Sequence, residues 1–287
     1  MRVTRLAMLA CVAALVVVTA APASAVGPQG AGPGGALGGP LGIGAGSRAG
    51  YFAVLCAFSH RNRDDMIVFP GQPGRSHDHT YFGNTSTDAS STLNSLRAAG
   101  STCLMRGDQA AYWVPTLMVD GKAVQPLGAI VYYVRRTSDA VQPFPPGLRM
   151  IAGDATARTA QSSEVTSWRC AYFGGAGSSV PNCRLPILQL RVRFPDCWDG
   201  VHLDAADHKG HMAYSTGGTC PSSHPVAVPG IQLVVQYTVA GGSGTELSSG
   251  GQFSGHADFV NAWDQQALTQ LVDRFLNHSR QPQQTFV

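Results

Sequence analysis

Apolar and polar residues alternate strictly from Leu188 to Phe194, within a stretch that begins at Ile187. Leu188, Leu190, Val192 and Phe194 fall on one side, and Gln189, Arg191 and Arg193 on the other. A period of two is that of a strand with one face buried, and a polar second face points to antiparallel pairing. Residues 231–239 repeat the pattern and bring Ile231, Leu233, Val235, Tyr237 and Val239 together. Stretches at 112–119, 129–136 and 148–152, and one around 77–82, predict further strands between Gly/Pro turns. Many short strands so punctuated predict an all-β fold, an antiparallel β-sandwich or jelly roll. The period changes twice. Leu93 and Leu96 predict a short helix capped by Asp88 and stopped at Gly100. Trp263, Ala267, Leu271 and Phe275, beside Leu268, Val272 and Leu276, predict a C-terminal helix packed on the sandwich by one face.

The 287 residues are 44% hydrophobic and only 13% charged, which excludes a charged disordered chain. Arg2 and Arg5, an apolar run from Leu6 to Ala21, and the small residues Ala23, Ser24 and Ala25 form the pattern of a cleaved secretory leader. Residues 1–25 are therefore read as a signal peptide and the chain as secreted, with no membrane contact after cleavage. Residues 26–50 hold so few side chains to bury that they are expected to form a flexible tether. A single domain is expected over 51–280, as a monomer, with a frayed tail at 281–287. Net charge is +3 and no dense basic stripe occurs, which argues against a nucleic-acid partner.

Cys11 leaves with the leader. Cys56, Cys103, Cys170, Cys183, Cys197 and Cys220 remain, an even set that in an exported chain reads as three disulfides. Six cysteines allow 15 pairings; locality favours 170 with 183 and 197 with 220, leaving 56 for 103. No C-x-x-C pair supports a zinc-thiolate site.

Candidate chemistry gathers in three histidine-rich segments. In the first, an extended backbone puts His77, His79 and Tyr81 on one face, a row able to supply a base, a metal ligand or a phenolic acid. The second holds Asp199, Asp207, His208 and His211, dense enough to bind a cation or to orient one another. Its H-x-x-H spacing is far less specific than H-E-x-x-H, and Asp196 and Asp199 also suit turns. The third is His256-Ala257-Asp258, where Asp258 also suits the start of the C-terminal helix.

The segments HDHTYFG, GSTCLMRGDQAAYWVPTL, FPPGLRMIAGD, FPDCWDG, DHKGHMAY, CPSSHPVAVPGIQL and GHADFVNAWD together resemble the secreted family called domain of unknown function nineteen ninety-six. The resemblance runs from about Tyr51 to Leu276. It implies an extracellular protein of a kind found in fungi and filamentous bacteria, in some relatives beside a WSC-type carbohydrate-binding module. That setting implies a cell-wall or biomass polysaccharide as partner; it supplies no reaction.

Two functions of different kinds follow. In the first, the protein acts on polysaccharide. As a lyase, Gln189, Arg191, Arg193 and Trp198 would bind the chain and neutralise a uronate, while His77 or His79 removes a proton and Tyr81 protonates the leaving oxygen, with His256, Asp199, Asp207, His208 and His211 completing the catalytic set. As a hydrolase it would use a carboxylate pair drawn from Asp196, Asp199, Asp207 and Asp258. In the second, it is a non-catalytic surface protein that binds glycan or holds a divalent metal at the histidine cluster. A serine hydrolase is disfavoured, since no G-x-S-x-G occurs and Ser254, His256 and Asp258 are too close in sequence to form a relay.

Overall fold

A computed structural model describes residues 50–172 and 174–278. The leader, nearly all of the tether and the tail fall outside the described residues.

The elements run β1 (Tyr51–Cys56), β2 (Phe58–Asn62), β3 (His79–Gly83), α1 (Leu93–Ala98), β4 (Ala111–Pro115), β5 (Leu117–Val119), β6 (Lys122–Ala123), β7 (Gly128–Val134) and β8 (Arg149–Gly153). They continue as β9 (Thr166–Cys170), β10 (Leu188–Arg193), β11 (Cys197–Trp198), β12 (Met212–Ala213), β13 (Val226–Ala227), β14 (Gly230–Tyr237), β15 (Thr245–Leu247), β16 (His256–Val260) and α2 (Gln265–Leu271), which runs on as a π-helix over Val272–Asn277. Two five-stranded antiparallel sheets dominate, one in the order β1-β7-β14-β10-β9 and the other β2-β3-β4-β16-β8. They pack face to face as a sandwich. Phe52, Val131, Leu190, Leu233 and Val235 from the first share one buried cluster with Phe82, Tyr112, Met150 and Phe259 from the second.

The alternation that predicts β10 and β14 is what builds this core, because every second residue must enter it. The other face of the first sheet, carrying Gln189, Arg191 and Arg193, looks outward. The second sheet is covered on both faces: Tyr81, Trp113 and Val260 on its outer side pack with Met66, Ile67 and Leu96. The connection between β2 and β3 and helix α1 thus roof that outer face, and between roof and sheet lies the histidine site.

The helix starts differ from expectation. Thr92, not Asp88, caps α1, in a reciprocal pair with Ser95; Asp88 instead accepts from the Ser90 amide at 2.8 Å and forms the preceding turn. At the C-terminal helix Asp264 is the cap, accepting from the Ala267 amide at 2.8 Å. Trp263 therefore precedes the helix and is buried by the sheets. Asp258 lies within β16, so it caps nothing. The disulfides are Cys56–Cys103, Cys170–Cys183 and Cys197–Cys220, the pairs that locality favours.

A buried relay ties the layers together. The Trp263 indole N–H donates to the Tyr133 hydroxyl at 2.9 Å, Tyr133 and Tyr112 share a 2.6 Å bond, and Tyr112 donates to Asp108 at 3.0 Å. Burial raises the Asp108 carboxyl to about 7, against the lowering effect of its bonds from Tyr112 and the Ala110 amide. The folded pKa thus lies above the unfolded one. Between about pH 4 and 7 the folded state holds a proton that the unfolded chain has released, so stability falls as pH rises through this window, by at most about 1.4 kcal/mol per pH unit. Urea unfolding of wild type and Asp108→Asn across that window should show the variant gaining on the wild type toward neutral pH. Parallel pH profiles would refute the assignment.

Candidate functional site

The second sheet places the first and third histidine segments side by side. His79 opens β3 and pairs with Pro115 on β4. Tyr81 and Asp258 both pair with Trp113 from opposite sides, because β4 lies between β3 and β16. His79, Tyr81, Trp113, His256 and Asp258 consequently share the outer face, alternating with Phe82, Tyr112 and Phe259 in the core. Gly153, opposite His256, has φ +82, and a Cβ there would meet the Gly255 carbonyl oxygen at 2.4 Å. Only glycine lets β8 approach the start of β16 so closely.

Hydrogen bonds settle how two imidazoles point. The His79 Nδ1 lies 2.9 Å from the Asp64 carbonyl, and the His256 Nδ1 lies 2.9 Å from the Ser254 carbonyl. A carbonyl only accepts, so both Nδ1 atoms carry the hydrogen and both Nε2 atoms present bare lone pairs. The His256 Nε2 is 3.2 Å from the Nε2 of His77. One ligand atom from each of His77, His79 and His256 lies within 4.8 Å of the other two, and the same holds for Asp65, His79 and Asp258. The Nε2 of His79 and both carboxylate oxygens of Asp258 are buried without a hydrogen-bond partner.

Electrostatics favour neutral histidines. Burial, with Arg63 nearby, lowers His77 to about 4, and burial with His77 nearby lowers His256 to about 3. His79 is pushed well below its ordinary value by burial and by both neighbouring imidazoles. Burial with Asp65 beside it holds the Asp258 carboxyl well above the usual carboxylate range. Neutral imidazoles are the form that binds metal, and a cation would favour ionised Asp258.

Access is restricted. His79 is fully buried and Tyr81 is 1% exposed; the Tyr81 hydroxyl donates to the Asp64 carbonyl at 2.6 Å, and its ring stacks on His60 with centroids 4.6 Å apart. His77 is half-buried and is the one of the three imidazoles that reaches the surface.

The second segment joins only at its edge. The Lys209 ammonium donates to the Gly153 carbonyl at 2.7 Å, beside His256, and His208 lies close enough to Asp65 to help lower its pKa against the larger effect of burial. His208 itself bonds Asp204 at 3.0 Å. His211 is buried and donates through Nε2 to the Arg149 carbonyl at 2.7 Å; with Asp199, His202 and Asp204 it lines a separate small cleft. Asp199 accepts from the Val201 and His202 amides, and Asp207 from those of Lys209 and Gly210, the turn role that their spacing suggests. Asp196 is buried and holds Ser215 at 2.6 Å through its hydroxyl. Of the four aspartates considered as a hydrolytic pair, three are thus engaged in their own loops and Asp258 alone faces the histidines.

Gln189, Arg191 and Arg193 line a cleft of about 890 Å³ on the outer face of the first sheet, with the whole sandwich between them and the histidines. The proton-abstracting row and the arginines therefore cannot meet on one sugar. Trp198 does not line that cleft; its indole N–H donates to the His202 carbonyl at 2.6 Å. The residue missed by sequence reasoning is Asp65, which borders the site; of the two roles open to Asp258, helix start or a carboxylate on the His256 face, the second is the one its place in β16 allows. The period of two from His256 to Asp258 puts both on one face of β16.

Among family models, one described as a domain of unknown function (DUF1996) matches residues 65–263, a span that holds His77, His79, His256, Asp65 and Asp258. No curated protein and no solved structure matches the chain.

Proposed function

The chain belongs to the DUF1996 family, and from the geometry of its histidine pocket we propose that it is an extracellular metal-binding protein, with a divalent first-row ion held by His77, His79 and His256. The observation that carries this reading is the convergence of three imidazoles within 4.8 Å, two of them turned by backbone carbonyls so that Nε2 faces inward. Such second bonds from a ligand histidine to a carbonyl are the usual way its tautomer is set. Two nitrogens bound tetrahedrally to zinc lie about 3.3 Å apart, close to the 3.2 Å between His77 and His256. A nitrogen-rich set suits zinc or copper(II), and Asp258, whose oxygens accept no hydrogen bond and one of which lies 3.9 Å from the His256 Nε2, would balance the charge.

The leader pattern and three disulfides support secretion. Direct acid–base work by His79 and Tyr81 gains no support, because neither side chain reaches solvent. Any reaction at this site would run on the His77 side, where an ion would meet water. The test is elemental analysis of protein secreted from its own leader, followed by chelation and addition of zinc or copper(II). One equivalent of metal, with a melting temperature that falls on chelation and recovers on addition, is the expected result. Protein that stays metal-free and shows no thermal shift with either ion would overturn the proposal.

A further inference from the structure

The cleft on the outer face of the first sheet is separate from the metal site, and nothing in that site accounts for its chemistry. The strand alternation that buries Leu190 and Leu233 turns Arg191 and Gln232 outward onto one surface. Four arginines, at 136, 169, 191 and 193, line it, with Glu164 as the one carboxylate. Like charges so gathered repel: Arg136 is lowered to about 10 by burial and by Arg193 nearby, and Arg191 is lowered by burial and Arg169. A face that concentrates guanidiniums at this cost is complementary to an anion.

Unmet hydrogen-bonding capacity points the same way. Gln232 is only 4% exposed, and its Nε2 is buried without a partner, as are the Nε atoms of Arg136 and Arg193. Its other amide atom accepts from Arg136 at 3.3 Å, so the side chain is held in place with its donor unused. All three orphans are N–H donors, which a ligand rich in acceptor oxygens would satisfy. Gln189 and Gln236 add amides that both donate and accept, as sugar hydroxyls require, and Tyr132 and the exposed Tyr172 supply ring faces. At about 890 Å³ the cleft is at the upper end of small-molecule pockets.

We propose that this cleft binds an anionic polysaccharide through its carboxylates, with the guanidiniums of Arg136 and Arg191 pairing uronate groups and the glutamines reading the hydroxyls between them. A nucleic acid fits less well. The cations form one compact group, whereas phosphate binding along a strand needs a track of them.

The experiment is calorimetric titration of the full mature protein with a polygalacturonate oligomer, a neutral cello-oligosaccharide and a single-stranded DNA oligomer, each at low and high salt. The uronate oligomer should bind at least about tenfold tighter than the other two and weaken with salt. Arg191→Gln with Arg169→Gln should lower its affinity at least about tenfold while melting temperature and metal content stay unchanged. If that pair fails to fold, Gln189→Ala, on the half-exposed rim, should weaken uronate binding by itself. Absence of uronate binding, equal binding of the neutral oligomer or DNA, or variants that bind as the parent does would each overturn the assignment. Because metal content is read in the same samples, failure here is distinguishable from failure of the metal proposal.

Discussion

His77→Ala should yield folded, secreted protein that no longer retains a stoichiometric metal ion, with zinc affinity lowered at least about a hundredfold. The size follows from the geometry. His77 supplies one of three converging nitrogens, and even partners outside the ligand shell are worth 10- to 100-fold in affinity. Its side chain is half-buried and, among the described residues, its ring nitrogen bonds only His256, so truncation opens no sealed cavity. His79→Ala would be the less informative variant, since it empties a fully buried position and destabilises by that route alone. Ligand linkage turns affinity into a thermal readout: zinc at a thousand times its Kd stabilises by about 4 kcal/mol, and at ten times by about 1.4 kcal/mol. The zinc-dependent rise in melting temperature should therefore shrink to about a third in the variant. Unchanged affinity in His77→Ala would remove His77 from the ligand set and leave the pocket as a packed histidine cluster.

How much of this was legible in the sequence depended on whether a residue's neighbours were local. The alternation of 188–194, and of 231–239 apart from Val234, reported both the strands and which face of each is core, because one buried face enforces a period of two. β1 carried no such period: Tyr51–Cys56 is a continuous apolar run, and a run buried on both faces does not announce strand over helix. β9 hid for the opposite reason, its five residues TSWRC mixing polar and aromatic types. At the site, the placing of His77, His79 and Tyr81 on one face required only strand geometry. Their meeting with His256 required knowing that β4 lies between β3 and β16, a pairing across some 180 residues that no local pattern encodes. The density of His and Asp at 199–211 misled because those carboxylates satisfy loop amides, as in Asp207 with Lys209 and Gly210. Asp65 lacked any signal, since it matters through a tertiary neighbour.

Removal of the Cys56–Cys103 bridge, by Cys56→Ser with Cys103→Ser, should cost about 4 kcal/mol of stability, since it frees a loop spanning 47 residues in the unfolded chain. That loop holds Asp65, His77, His79 and Tyr81, and so two of the three ligand histidines. At its far end the bridge pairs Cys56 with Cys103 beside the bonds of the Thr102 hydroxyl to the Gly83 and Ala57 carbonyls. Loosening it lets the roof move against β16, where His256 resides, and zinc affinity should fall together with stability. The Cys170–Cys183 bridge is the control. It closes only 13 residues, its loss should cost about 3 kcal/mol by the same relation, and it carries no ligand. Urea unfolding with and without zinc separates the two: both double variants lose stability, but only the first also loses part of its zinc-dependent increment. Equal zinc increments in the two variants would show that the hydrogen bonds of β2, β3 and β4 alone position His77 and His79, and that the bridge acts on the unfolded chain only.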